Sequence, residues 1–474
     1  MKYPEEGGKS PGYARRLGLF SGTMLVIGGI IGAGIFRSPP IVAERVRTPF
    51  LTLAVWGLGG LIALVGAFCF GELGARKPRA GGGYVYLRDA YGPLPAFLYG
   101  WALLLVMATG AIAAVAVTFA GYLGRLVGLP EAGTIPAAVA AIALLSTVNY
   151  LGVKPGAVTQ NVFTVLKLAA LALLIGAGLL LRMPEAAVAS AAAPAAPSHV
   201  VLAIGAALVP VMFTTGGWQQ SNFIAEEMID PERNLPRALV IVVTVVVVVY
   251  LLANVTYLRV LGAPGLVAST APAAEAMRTV LGSRGETLIA AGIAFSTFGF
   301  LNLVILVSPR VYQAMAADGA FFPRLARLHP RYRTPAAAIV FQGVWAILLT
   351  LSGTYGQLLD YVVFGDWIFF GLVVSTLFVY RSRERAADPA AASGGPGSGR
   401  PGAPAGGAAA RAGPAAGYRA WGYPWTPALF VVAALYVVAS SVASNPRNAA
   451  IGALLLAVGV PVFLFWRARG ARKE

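Results

Sequence analysis

Gly28-Gly29-Ile30-Ile31-Gly32-Ala33-Gly34-Ile35-Phe36 lies inside a long apolar stretch, and its reading decides the fold. Lipid offers no hydrogen-bond partners, so a helix that spans a bilayer must satisfy its own backbone. Glycine inside a helix costs roughly 0.8–1 kcal/mol relative to alanine. A cluster of glycines here therefore marks a place where the helix opens. Opened backbone at membrane depth is tolerated only where it lines a cavity or is buried in protein. Broken helices of this kind are where secondary transporters build ligand sites.

A second break of the same kind follows at Val209-Pro210-Val211-Met212-Phe213-Thr214-Thr215-Gly216-Gly217-Trp218, where apolar helix again runs into small and polar residues. Either cluster alone could serve only close helix packing, as small residues do. Two clusters five spans apart point instead to a midplane site between inverted repeats.

Composition agrees. Hydrophobic residues make up 58% of the 474 and charged residues only 12%, with mean hydropathy +0.74, whereas soluble domains carry about 25% charge. A span needs roughly 20 apolar residues. On that ruler, segments near 17–36, 51–70, 94–121, 134–153, 156–181, 200–225, 238–258, 287–309, 335–353, 355–380, 426–445 and 448–466 read as spans. About twelve transmembrane helices are expected. They form a five-plus-five repeat (17–181 and 200–380) with broken helices one and six, followed by two appended spans within 425–467.

The remaining segments are a tail (1–16), an external loop (182–199), an Ala/Pro/Gly-rich linker (381–424) expected to be flexible, and a C-terminal tail (468–474). Residues 353–356 read as a tight turn. Residues 264–284 read as an external loop helix. No small-residue cleavage site follows the N-terminal charges, so no removable signal peptide is expected.

Most lysines and arginines fall in loops on one side, which places both termini in the cytoplasm by the positive-inside rule. The net charge of +17 then faces an anionic leaflet and needs no nucleic acid to explain it. One cysteine, Cys69, and two histidines support neither a disulfide framework nor a metal site, and no cofactor is expected. An integral-membrane enzyme would need clustered His, Cys or carboxylates in the spans, and only Lys167 and Asp366 stand well inside them.

With these residues in view, the chain resembles a bacterial member of the amino acid–polyamine–organocation superfamily, close to the L-type amino acid transporter branch. The resemblance rests on Gly32-Ala33-Gly34-Ile35-Phe36, Phe213-Thr214-Thr215-Gly216-Gly217-Trp218, Glu226-Glu227-Met228 with Asn234-Leu235-Pro236-Arg237, Gly81-Gly82-Gly83-Tyr84, and Ser308-Pro309-Arg310-Val311-Tyr312 ahead of Ala317-Asp318-Gly319. It covers roughly residues 15–466.

The resemblance implies an α-amino acid held at the two breaks, by Ile30, Ile31, Gly32, Ala33, Gly34, Phe213, Thr214 and Gly216, with Phe213 as external gate. The physics is consistent. Free N–H groups and the positive end of the half-helix after Gly32 suit a carboxylate. Carbonyls freed near Ile30, Phe213 and Thr214 suit an ammonium. The family often has Ser or Thr where this chain has Ala33, which leaves carboxylate recognition to backbone amides.

A charge at mid-helix costs about 2.5–3.5 kcal/mol on insertion scales, so Lys167 should have a partner or a task. The resemblance places it where sodium-coupled relatives hold a cation, tethering span one to span eight, and implies sodium-independent transport, with exchange as the expected mode. Proton symport and a transporter-fold amino acid sensor are the alternatives. Asp366 could carry protons, pair with a basic residue, or cap an irregular turn, with a structural role favoured. Glu226 and Glu227 are expected to pair with loop arginines, and Trp101 and Tyr122 to anchor at the interface. Animal members join a heavy chain through an external cysteine between spans three and four. Gly124–Thr134 has none, so a subunit without a disulfide-linked heavy chain is expected.

Overall fold

The computed structural model describes residues 12–181, 197–352, 355–387, 418–444 and 446–470. Most of the external loop (182–199) and the middle of the linker (381–424) lie outside them, as do residues 1–11, 471–474 and the start of the 353–356 turn.

Among the described residues nine helices are long and apolar enough to cross a membrane, and the bent pair Leu19–Ile30 and Gly34–Val46 makes a tenth span. Ala336–Leu351 and Tyr355–Ala387 are the ninth and tenth helices in the order of spans. The first and sixth spans are the interrupted ones, so two sets of five each open on a broken helix. The helices start where their sequences allow. Thr48, for example, precedes Pro49–Arg76 in an extended conformation and its hydroxyl accepts the Leu51 N–H at 3.2 Å, while Pro49 at the first helical position loses no bond.

The second span (Pro49–Arg76) packs along the seventh (Pro231–Ala268), and the eighth (Pro272–Val307) along the fifth (Val153–Leu180) and third (Pro93–Val127). Small residues permit these close approaches: a Cβ on Gly292 would come within 2.3 Å of the Ala170 methyl. The third span contains a π turn at Leu103–Met107. Its displaced carbonyls find side-chain donors: Leu103 O accepts from Tyr312 Oη at 3.4 Å, Leu104 O from Thr109 Oγ1 at 2.6 Å, and Leu105 O from Trp345 Nε1 at 3.2 Å.

Two connections gain detail, and two expectations about the linker need correction. The charged connection after span two contains a helix, Gly83–Tyr91, that buries Tyr84, Val85, Tyr86 and Leu87. The 264–284 segment holds short helical pieces set off from spans seven and eight by the non-helical backbone of Gly262 and Gly282, in line with the loop helix expected there. The tenth helix continues to Ala387, beyond the expected start of the linker. At the linker's other end, residues near 420 are docked rather than free. The Ala420 N–H donates to the buried Glu72 carboxylate at 2.7 Å, Arg381 Nε donates to it at 2.9 Å, and the Arg381 guanidinium lies 4.1 Å over the Tyr423 ring. Trp101 is held by protein, its indole N–H donating to the Leu455 carbonyl of the last span at 3.1 Å.

Candidate functional site

The first span bends by 41° between its halves. Leu19–Ile30 ends as Ile31 turns extended, and Gly34–Val46 begins after Ala33. The Gly32 N–H closes a tight turn to Ile30 O at 3.0 Å, and the Phe36 N–H reaches back to Ala33 O at 3.1 Å. The amides of Gly34 and Ile35 head the second half with no backbone carbonyl opposite them, as first-turn amides of any helix do. Ala33 and Gly34 are half-buried while their neighbours on both sides are buried, so this stretch of backbone borders open space.

The sixth span breaks at Gly216–Gly217, between Val200–Thr215 and the 3₁₀ segment Trp218–Glu227. Gly217 has φ of 98°, a left-handed conformation that favours glycine. The two breaks touch: a Cβ on Gly217 would lie 2.0 Å from Gly29 O, and one on Gly34 would lie 2.7 Å from Thr214 Oγ1. Side chains at these positions would push the half-helices apart. Gly34 is thus fixed by packing on Thr214 as well as by any role of its amide. Gly32 instead faces Phe300 of span eight, whose ring would lie 3.2 Å from a Cβ there.

The carbonyls at the breaks are largely occupied by donors that the sequence did not single out. Tyr250 Oη lies 3.0 Å from Ile30 O and 3.4 Å from Thr214 O, so one buried hydroxyl bridges both broken helices. Ser296 Oγ lies 3.3 Å from Ile31 O and 3.2 Å from Gly32 O. Tyr257 Oη donates to Ile35 O at 3.3 Å. The Thr214 hydroxyl is 2.8 Å from Pro210 O and 2.9 Å from Ser38 Oγ. The ready ammonium acceptors expected at Ile30 and Thr214 therefore already share a tyrosine proton.

Lys167 is fully buried in span five and donates to Ile31 O at 2.6 Å and Gly28 O at 3.4 Å. These carbonyls belong to the C-terminal end of a half-helix, where the dipole favours a cation. No carboxylate pairs with it among the described residues. Its link to span eight is indirect. A Cβ on Gly299 would sit 3.5 Å from Nζ, and Ser296 shares the Ile31 carbonyl, but no hydrogen bond runs from Nζ to that span among the described residues.

Phe213 is 39% exposed at the end of its half-helix. Asp366 is half-buried in span ten, within electrostatic reach of Tyr99, and has no ion pair among the described residues. Pairing with a basic residue, one of its expected roles, is therefore not seen there.

Below the breaks the same bundle is sealed by charge and backbone. Glu227 and Arg310 are both buried and paired, with Nε 2.8 Å from Oε1, so one of the two glutamates has the arginine partner expected of it. Glu226 instead accepts the Ala80 N–H at 3.1 Å. Leu17 and Met228 form a short parallel bridge, with Leu17 N donating to Glu227 O at 3.0 Å and Ile229 N to Leu17 O at 2.8 Å.

Comparison with known proteins bears on what this arrangement serves. The family described as "Amino acid permease" matches residues 17–465. The human "b(0,+)-type amino acid transporter 1" is 35% identical over 381 residues, covering 79% of this chain and 77% of the relative. The human "Large neutral amino acids transporter small subunit 2" is 34% identical over 392 residues, covering 80% of this chain and 72% of the relative.

Proposed function

The chain belongs to the amino acid permease family, and on that premise we propose that it carries neutral L-amino acids across the cytoplasmic membrane by alternating access, as a sodium-independent exchanger. It is a multi-pass membrane transporter, not an enzyme. The observation that carries the reading is the contact between two interrupted helices, in which Gly34, whose amide meets no backbone carbonyl among the described residues, packs on Thr214, whose carbonyl shares the Tyr250 hydroxyl with Ile30 O. A zwitterion is complementary to both amide and carbonyls. Ile30, Ile31, Gly32, Ala33, Gly34, Phe213, Thr214 and Gly216 are the proposed binding residues, with Phe213 as the outer gate.

The neutral class is supported by the site's own charge. Among the described residues the only ionisable side chain at the breaks, tyrosines apart, is Lys167, and its amine is committed to Ile31 O, so none of them there compensates a charged substrate side chain. Sodium independence is supported by the same ammonium. Two unit charges about 4 Å apart repel by about 4 kcal/mol at an effective dielectric of 20. Asp366, half-buried and without an ion pair among the described residues, favours one alternative, proton symport. One relative is named a small subunit. Cys69, this chain's one cysteine, is buried, which supports a transporter with no disulfide-linked heavy chain.

Orientation with both termini in the cytoplasm rests on the loop charges. The test is uptake of radiolabelled leucine into proteoliposomes, preloaded or empty, in sodium or choline, with or without a pH gradient. Uptake that requires internal amino acid and ignores sodium is expected. Gradient-driven uptake into empty vesicles would replace exchange by proton symport, and binding without flux would replace transport by sensing.

A further inference from the structure

Between the start of span nine and the preceding segment 322–329 lies an open groove of about 740 Å³, lined mainly by apolar side chains. Its floor is the outward stripe of Ala336–Leu351, where Val340 is 51% and Val344 53% exposed. Phe322 forms one wall and stacks edge-on against Trp466 of the last span, 5.0 Å between ring centres. The mouth is of opposite character. Arg324 and Arg327 line it, both are exposed, and neither has an ion pair or a side-chain hydrogen bond among the described residues.

His329 completes the mouth, and its Nδ1 accepts the backbone N–H groups of Arg331 and Tyr332, both at 3.3 Å. A neutral imidazole held in this way carries its proton on Nε2, as a donor. The groove lies on the face of the N-terminal strap, since Arg333 Nη1 donates to Gly12 O at 3.4 Å.

We propose that this groove is a binding site for one anionic glycerophospholipid of the leaflet on the N-terminal side, its acyl chain along Val340 and Val344 and its phosphate between Arg324 and Arg327. Any lipid tail wets an apolar helix face. Two unpaired guanidiniums at the rim of a concave apolar groove select the anionic headgroup, because guanidinium matches phosphate oxygens two at a time. Basic recesses at the cytoplasmic end of membrane helices take acidic headgroups on this principle. The proposal is independent of what the protein transports.

The test uses delipidated full-length protein in micelles, given equal amounts of phosphatidylglycerol and phosphatidylcholine with the same chains, and counts retained lipids by native mass spectrometry. The wild type should retain one phosphatidylglycerol preferentially. Arg324→Gln/Arg327→Gln should lower that preference by about 30-fold, at about five-fold per basic residue, and the double Lys variant, which keeps the charge without the two-toothed fit, should keep only part of it. Arg233→Gln/Arg237→Gln removes equal charge from exposed positions outside the groove and should change nothing. Val344→Trp, which fills the groove, should release the lipid with both arginines intact. Equal retention of the two lipids by the wild type, or unchanged phosphatidylglycerol binding in the double Gln variant, would overturn the proposal. So would a protein dimer that excludes lipid and is lost in Val344→Trp.

Discussion

Replacing Lys167 by Met separates the lysine's cost from its task. Methionine keeps an unbranched chain of similar length and removes the charge from a fully buried position. Relief of an intramembrane charge is worth about 2.5–3.5 kcal/mol on insertion scales. Loss of the bond from Nζ to Ile31 O, 2.6 Å long, costs about 1.5–3 kcal/mol for a charged donor. The two nearly offset, so folding stability should change by roughly 1 kcal/mol or less, and the thermal midpoint by no more than about 4 °C.

Transport should respond differently. The bond to Ile31 stabilises only conformations that keep this carbonyl beside span five. Losing about 1.5–3 kcal/mol from one conformation and not another shifts their ratio by about 10- to 150-fold. Exchange of radiolabelled leucine in proteoliposomes should therefore fall at least about tenfold in Lys167→Met, with protein yield and melting nearly unchanged. Arginine should not rescue, because its planar guanidinium is bulkier than the ammonium that already lies against the Ile31 and Gly28 carbonyls in a fully buried position. Wild-type exchange by Lys167→Met would show that the ammonium takes no part in turnover.

Four further outcomes are expected. Tyr250→Phe keeps the ring and strips the donor from Ile30 O and Thr214 O; at about 1–3 kcal/mol for buried groups left unpaired, it should lower the melting temperature and slow exchange, and unchanged values of both would remove the bridging role. Phe213→Ala should cut leucine uptake strongly while Phe213→Trp retains part of it, and normal uptake in both would make Phe213 packing alone. Gly34→Ala should weaken leucine binding in a scintillation proximity assay, because a Cβ meets Thr214 at 2.7 Å; unaltered affinity would move the site elsewhere. Glu72→Ala leaves Arg381 facing an empty, buried position, so melting should drop by an amount reflecting about 3–5 kcal/mol, with faster proteolysis between 381 and 424, and an unchanged digest would show that the docked segment is held by other contacts.

What could be read from the sequence follows a physical divide. The breaks were legible because glycine clusters contradict the apolar helix around them, and Lys167 because a charge contradicts its span. Tyr250 and Ser296 were not. Each sits in an apolar run, and a lone Tyr or Ser there usually bonds its own helix or the membrane interface. Their partners in the first span, Ile30 O and Ile31 O, are carbonyls more than 200 residues away, which exist as acceptors only because that span is broken. The docked end of the linker escaped for the same reason. Glu72 reads as the last acidic residue of a helix with Arg76 one turn on, and nothing local announces that Arg381 and the Ala420 amide converge on it.

The molecule closes its middle and its N-terminal face with different chemistry, and the difference has a mechanical meaning. At the breaks the contacts are hydroxyls and one ammonium on backbone carbonyls, and small rotations can exchange the hydroxyl contacts for a substrate's own groups at little net cost, since a neutral hydrogen bond contributes only about 0.5–1.5 kcal/mol. At the N-terminal face, Arg310 and Glu227 are exposed by 0% and 1%, and separating them inside protein would leave two uncompensated charges, a loss of about 3–5 kcal/mol. That pair can part only if water enters as it does. Adjustment at the substrate site can therefore be gradual, whereas opening of the N-terminal face must be all-or-none and hydrated. An uncharged pair of matching shape, Arg310→Met with Glu227→Leu, removes the need for water while keeping the seal. It should leave the fold intact and trap the transporter with this face closed, so that leucine still binds but exchange stops. Continued exchange by that double variant would show that the ion pair is a brace and not the step at which this face opens.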